Sequence, residues 1–181
     1  MNWANVATYT RILLIPLIII VYLSEMKMAN ILGAGVFLLA SVTDWLDGYL
    51  ARRLKQGSSY GAFIDPVADK LLVVSVVTLL LSVYPSMLAP CLIIIVREVV
   101  VSALREWMAQ RKSSALVAVG FIGKLKTTVQ MIALTVLLLV GTSSPPIFLQ
   151  LGFSLLWLAA LLSLISMGIY FRDAWQTLTE A

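Results

Sequence analysis

Long apolar runs broken by short polar turns set the pattern of this chain. Runs such as Leu71–Leu81 and Ile132–Val140 carry no charge at all. Hydropathy predicts six spans, at about 5–24, 29–51, 61–83, 87–109, 118–140 and 146–171, each near the ~20 residues that cross a hydrocarbon core. The turns between them are Ser24–Asn30, Arg53–Tyr60, Tyr84–Ser86, Gln110–Leu116 and Gly141–Pro146. Strands crossing a membrane would alternate apolar and polar positions, and that alternation is absent. The expectation is therefore an all-α polytopic membrane protein whose helices satisfy their own backbone hydrogen bonds.

Composition agrees with the pattern. Of 181 residues, 61% are hydrophobic, well above the usual half, and mean hydropathy is +0.99. Six spans and short turns leave room for a single domain over 1–181. The start of the chain lacks the basic leader and small-residue cleavage site of a secretory signal, so it is expected to be part of the mature protein. One cysteine, Cys91, rules out an intrachain disulfide; packing is its expected role. The absence of histidine removes the commonest general base and zinc ligand. Trp3, Trp45, Trp107 and Trp175 fall near span ends, where indoles anchor at the interface.

Charge then orients the bundle. Arg52, Arg53 and Lys55 follow the second span, Arg105, Arg111 and Lys112 surround the turn after the fourth, and Arg172 follows the sixth. The opposite turns hold only Lys27 and Glu25. The positive-inside rule puts both termini and the basic turns in the cytosol.

Four of the nine acidic residues gather where spans two and three meet the cytosolic edge: Asp44, Asp47, Asp65 and Asp69. Residues three or four apart share a helix face, so Asp44, Asp47, Gly48, Ala51 and Arg52 form one stripe and Gly61, Asp65 and Asp69 another. A short loop brings the stripes to one depth. Four carboxylates repel unless a cation sits among them, and an all-oxygen set suits one or two hard divalent ions. Gly48, Ala51 and Gly61 leave room for close approach. Pro66 is tolerable in a first helical turn, which places the start of the third helix near Asp65 or a kink there. The plainer readings are helix-end acids paired with Arg52, Arg53, Lys55 and Lys70, or a metal held for structure only. Neither matches the cost of membrane-embedded charge as well as a functional site does.

Arg97 lies within span four, Arg105 eight residues on, and Lys124 and Lys126 enter span five. Cations in a membrane need anionic partners. Glu98 and Glu106 are candidates; an acidic substrate is the other, and phosphate suits Arg and Lys.

The series D-x-x-D-G-x-x-A-R-x8-G-x-x-x-D-x-x-x-D is complete here, as Asp44, Asp47, Gly48, Ala51, Arg52, Gly61, Asp65 and Asp69. It resembles the signature of the CDP-alcohol phosphatidyltransferases, six-helix membrane enzymes. Val42-Thr43-Asp44-Trp45, Arg97-Glu98 to Arg105-Glu106, Gly123-Lys124-Leu125-Lys126-Thr127 to Gln130 and Asn5-x-x-Thr8-x-x-Arg11 resemble the bacterial branch that makes phosphatidylglycerophosphate, with Ala4 where a proline is common. The resemblance implies transfer of a phosphatidyl group from CDP-diacylglycerol to sn-glycerol 3-phosphate, releasing CMP. It implies Mg2+ or Mn2+, as two ions, on Asp44, Asp47 and Asp65, with Asp69 as general base and further metal contact. Asn5, Thr8, Gly48, Arg52, Ser58 and Gly61 would bind the CDP-lipid, and Arg97, Arg105, Lys124 and Lys126 the acceptor phosphate. It further implies a homodimer among the lipids of a bacterial inner membrane, its site facing the cytosol, and no nucleic-acid partner. The rival readings are a sister transferase with another alcohol and, from another class, a divalent-cation transporter. Arg52 and the cations of spans four and five oppose passage of a cation, and a transporter favours acids at the midplane.

Overall fold

The computed structural model describes the backbone of residues 3–24, 26–54, 59–110, 121–141 and 144–179, and within these the side chains of 8–24, 26–43, 64, 66–108, 121–141 and 144–175. Among the described residues there are six α-helices and no strand. They are α1 (Trp3–Tyr22), α2 (Ala29–Leu54), α3 (Ser59–Val83), α4 (Leu88–Gln110), α5 (Phe121–Leu139) and α6 (Pro146–Thr179), with a 3₁₀ turn at Pro85–Met87 before α4. Each expected span corresponds to one helix. Among the described residues, four stretches are long and apolar enough to cross a membrane: Pro66–Val83, Pro85–Met108, Phe121–Leu139 and Pro146–Trp175. Thr8–Tyr22 and Ala29–Thr43 are shorter apolar stretches. Helix α3 begins at Ser59, with Pro66 inside it, rather than near Asp65. A proline removes one intrahelical hydrogen bond without obliging the helix to start there.

Large apolar side chains point outward on every helix, including Leu13, Leu39, Leu71, Val99, Ile132 and Leu161. In water this would be an aggregation surface; in lipid it is the solvated face. Hydroxyls on the helices turn back to their own backbone. Ser41, Ser82, Thr127 and Ser163 each donate to a carbonyl three or four residues earlier, so they need no water.

The chain forms two compact units. The first joins Met1–Tyr84 with Leu134–Leu149, the second Pro85–Ala133 with Gln150–Ala181. In the first, α1 packs on α2 and α3 around Ile18, Phe37, Ala40, Ala68, Leu72 and Val76. A Cβ at Gly33 would lie 3.1 Å from the Tyr22 ring, so the missing side chain lets α1 and α2 close at that end.

The C-terminal carbonyls of a helix have no partner within it. At the end of α5 the Val140 carbonyl accepts from Asn30 Nδ2 and, at 3.5 Å, from the Tyr84 hydroxyl. The turn beyond is closed by Ser144 N–H donating to the Gly141 carbonyl and Gly141 N–H to Ser144 Oγ.

In the second unit each helix has one buried stripe. On α4 and the turn before it this is Met87, Cys91, Ile94, Arg97, Val101, Leu104 and Met108, at helical spacing. On α6 it includes Leu156, Ala159, Ala160, Ser163, Ser166, Tyr170 and Ala174. Val101, Leu104, Met108, Tyr170 and Ala174 form one apolar cluster, with Trp107 and Met167 at its border. Polar residues thus occupy core positions of this unit.

Asn30→Ala removes a bond that closes α5 and leaves a carbonyl short of a donor. We expect it to cost about 1–3 kcal/mol, seen as a lower midpoint of thermal unfolding in detergent. Lys27→Ala, on the exposed turn nearby, should leave the midpoint unchanged.

Candidate active site

The acid motif straddles two helices. Asp44, Asp47, Gly48, Ala51 and Arg52 lie on the described backbone of α2 and Gly61, Asp65 and Asp69 on that of α3, so each group keeps the shared helix face its spacing requires. The side chains of Asp44, Asp47, Arg52 and Asp65 lie outside the described residues, as does that of Asn5 on α1, and Ser58 lies outside them entirely. The donor set is four carboxylates and no histidine or thiolate, which fits a hard cation and no soft one. The described residues alone contain no group of three such donors.

Asp69 is the acid whose surroundings are described. Arg11 of α1 donates Nη1 to its Oδ1 at 2.5 Å. The arginine is 3% exposed while the carboxylate is 45% exposed, so the pair reaches from a buried anchor to an open rim. Thr8, three residues before Arg11, is buried as well. The Asn5-x-x-Thr8-x-x-Arg11 spacing is therefore one helix face of α1, and its arginine orients the last acid of the motif. Sequence spacing marked this segment without revealing its partner.

The cations of the second unit form a network. Lys126, almost fully buried on α5, donates to Glu98 Oε1. Arg97 Nη1 stands 3.6 Å from the other oxygen of Glu98, and its Nη2 donates to Ser166 Oγ on α6 at 3.0 Å. The ring of Tyr170, one turn past Ser166, lies 5.8 Å from the Arg97 guanidinium and 4.8 Å from that of Arg105. Arg105 also donates Nη2 to the Tyr170 hydroxyl. Two cations, Arg97 and Lys126, therefore share the carboxylate of Glu98, while Arg105 is held by Tyr170 instead. Among the described residues, Arg97 Nε and Gln130 Oε1 are buried without a hydrogen-bond partner, and such atoms are seldom left so in a protein at rest.

Of the expected phosphate contacts, the structure brings Arg97, Arg105 and Lys126 into this network. Lys124, two residues from Lys126, is on the exposed side of α5. Glu98 is the partner that burial of Lys126 demanded; Glu106 is exposed and makes no ion pair among the described residues. Ser166 and Tyr170 were not singled out from sequence, and Gln130 stood out only as the end of the Gly123–Gln130 segment. Their signal was a polar residue at i and i+4 inside an apolar helix: Ser166 with Tyr170, and Lys126 with Gln130.

A model of the family described as CDP-alcohol phosphatidyltransferase matches residues 1–165. A CDP-diacylglycerol–glycerol-3-phosphate 3-phosphatidyltransferase of Wigglesworthia glossinidia brevipalpis is 40% identical over 180 residues, 98% of this chain and 97% of that protein. Proteins of the same name from Salmonella typhimurium and Shigella flexneri are each 42% identical over 176 residues, 96% of this chain and 94% of theirs.

Removing one member of a buried ion pair leaves an uncompensated charge, which costs roughly 3–5 kcal/mol. Glu98→Gln should therefore destabilise the fold by that order, and Glu98→Gln with Lys126→Met should recover much of the loss. Thermal unfolding of the single and double variants checks both.

Proposed function

We infer that this chain, which belongs to the CDP-alcohol phosphatidyltransferase family, moves the phosphatidyl group of CDP-diacylglycerol onto the 1-hydroxyl of sn-glycerol 3-phosphate. The products are phosphatidylglycerophosphate and CMP, a step of phospholipid biosynthesis. One observation carries the reading: relatives named for this reaction match over nearly the whole chain, and every specified position of the acid motif is present.

In the reaction, Asp69 accepts the proton of the acceptor hydroxyl, whose oxygen forms a bond to the phosphatidyl phosphorus. The bond from that phosphorus to the CMP oxygen breaks, and CMP leaves with the electron pair. With no histidine in the chain, a carboxylate is the natural base. Arg11 steers that carboxylate. Asp44, Asp47 and Asp65, with Asp69 adjoining, would hold Mg2+ or Mn2+, as two ions, which would supply positive charge against the diphosphate and the departing CMP. Asn5, Thr8, Gly48, Arg52, Ser58 and Gly61 receive the CDP-lipid. Arg97, Arg105 and Lys126, with Lys124 at the exposed edge, receive the acceptor phosphate. A phosphate-bearing alcohol uses this surplus of cations; neutral inositol or zwitterionic serine does not.

The chain acts as one domain, 1–181, and crosses the membrane six times. Helix α1 has 20 residues and α2 has 26, and at 1.5 Å per residue each covers about 30 Å or more. The basic turns place both termini and the site at the cytosolic face of a bacterial inner membrane, where the protein works as a homodimer.

The test is CMP release by purified protein given CDP-diacylglycerol and, in turn, glycerol 3-phosphate, inositol and serine. Glycerol 3-phosphate should be used far better than the others; equal use of inositol or serine would refute the acceptor assignment. EDTA should abolish release and Mg2+ or Mn2+ restore it, whereas full activity in metal-stripped protein would refute the metal role. Asp69→Asn keeps the side-chain volume but accepts no proton. Turnover should fall by roughly 10²–10⁴-fold while CDP-diacylglycerol binding persists. Near-normal turnover would remove Asp69 as the base.

A further inference from the structure

We propose that Tyr170 is a positioning residue for acceptor specificity: it holds the Arg105 guanidinium, through its hydroxyl and its ring face, in the orientation that receives the acceptor's phosphate. The inference rests on the proposed reaction and concerns how its second substrate is recognised.

Three features carry it. The first is the difference between the cations of the network. Lys126 is buried against Glu98, and Arg97 is buried between Glu98 and Ser166. Arg105 is exposed and has no carboxylate partner among the described residues. Of the three networked cations, its positive charge is the most open to an incoming anion.

The second is the nature of its holder. Tyr170 is neutral. Its hydroxyl accepts from one guanidinium nitrogen, and its ring face lies 4.8 Å from the guanidinium carbon. A carboxylate there would orient Arg105 equally well but would cancel its charge and repel phosphate. A phenol orients without cancelling. It occupies one of the five N–H donors of the fork and leaves the rest for bidentate contact with phosphate oxygens.

The third is rigidity. Tyr170 is 4% exposed and sits in the cluster of Val101, Leu104, Met108 and Ala174. An exposed arginine on a helix surface samples many rotamers, and ordering it at the moment of binding is costly. Fixing it to a buried aromatic lowers that cost in advance. Ser166, one turn earlier on α6, does the same for Arg97, so one face of α6 sets two guanidinium groups.

Tyr170→Phe keeps the ring and removes the acceptor oxygen. KM for glycerol 3-phosphate should rise about 3- to 10-fold, the range for one lost hydrogen bond. KM for CDP-diacylglycerol and kcat at saturating acceptor should stay within about twofold. Tyr170→Leu should raise the acceptor KM further. In an Arg105→Ala background, Tyr170→Phe should add nothing, because the group it positions is gone. Direct binding of radiolabelled glycerol 3-phosphate to the full chain in nanodiscs should weaken in parallel. Two results would overturn the proposal: an unchanged acceptor KM in Tyr170→Phe, or equal losses for both substrates alongside a lowered unfolding midpoint, which marks a packing role. If the unaltered protein neither binds nor uses glycerol 3-phosphate, the proposed reaction itself fails, and this assignment with it.

Discussion

Charge held in an apolar environment governs this structure. A lone ion in a low-dielectric interior costs several kcal/mol even after relaxation, so each buried charge must find a partner or serve one. The described part of the protein obeys this. Arg11 meets Asp69, Lys126 meets Glu98, and Arg97 lies between Glu98 and Ser166. These contacts fix which faces of α1, α4, α5 and α6 turn inward, at positions where an apolar residue would otherwise have served. Apolar packing alone would leave the rotation of such uniformly hydrophobic helices weakly determined, since lipid tails are as apolar as leucine.

The same constraint separates two kinds of chemistry within one chain. The first unit carries the acid motif and the Arg11–Asp69 pair, suited to cations and to a diphosphate neutralised by them. The second carries Arg97 and Lys126 on a single glutamate and Arg105 on Tyr170, the cations proposed to receive the acceptor phosphate. Arg105 differs from its neighbours because its partner is a phenol, which leaves its charge uncompensated. A transferase that joins an anionic lipid donor to an anionic alcohol needs both environments, and must prevent each from neutralising the other.

Much of this was legible in the sequence, because the strongest signals are periodic. Apolar runs marked all six helices, and the i, i+3, i+4 spacing of Asp44, Asp47, Gly48, Ala51 and Arg52 named a helix face without any coordinates. Glu98 and Glu106 were both candidate partners for nearby cations, and the burial of Lys126 beside Glu98 is what separates them. Hydropathy set the third span at 61–83, close to the start of α3 at Ser59; whether Pro66 marks a start near Asp65 or a kink there was not legible. A proline restricts the turn before it locally, and helix length is settled by packing and by the surrounding medium. The pairing of Arg11 with Asp69, 58 positions apart, and of Arg105 with Tyr170, 65 apart, was likewise hidden. Such contacts depend on which helices are neighbours, and periodicity within one helix carries no information about that. Tyr170 resembled any aromatic in an apolar span until its hydroxyl was seen to face a guanidinium.

The claim that two charged environments serve two substrates is tested most directly by measuring equilibrium binding of both ligands to two variants side by side. CDP-diacylglycerol with Mg2+ and radiolabelled glycerol 3-phosphate would each be titrated onto Asp44→Asn and Arg105→Ala in nanodiscs, with Arg111→Ala as control. The expected result is crossed. Asp44→Asn loses CDP-lipid affinity and keeps acceptor affinity, while Arg105→Ala weakens the acceptor about 10- to 100-fold, as expected for a lost charge-assisted contact, and keeps the CDP-lipid. Equal loss of both ligands in either variant, or an Arg105→Ala protein that binds glycerol 3-phosphate as tightly as the control, would contradict it.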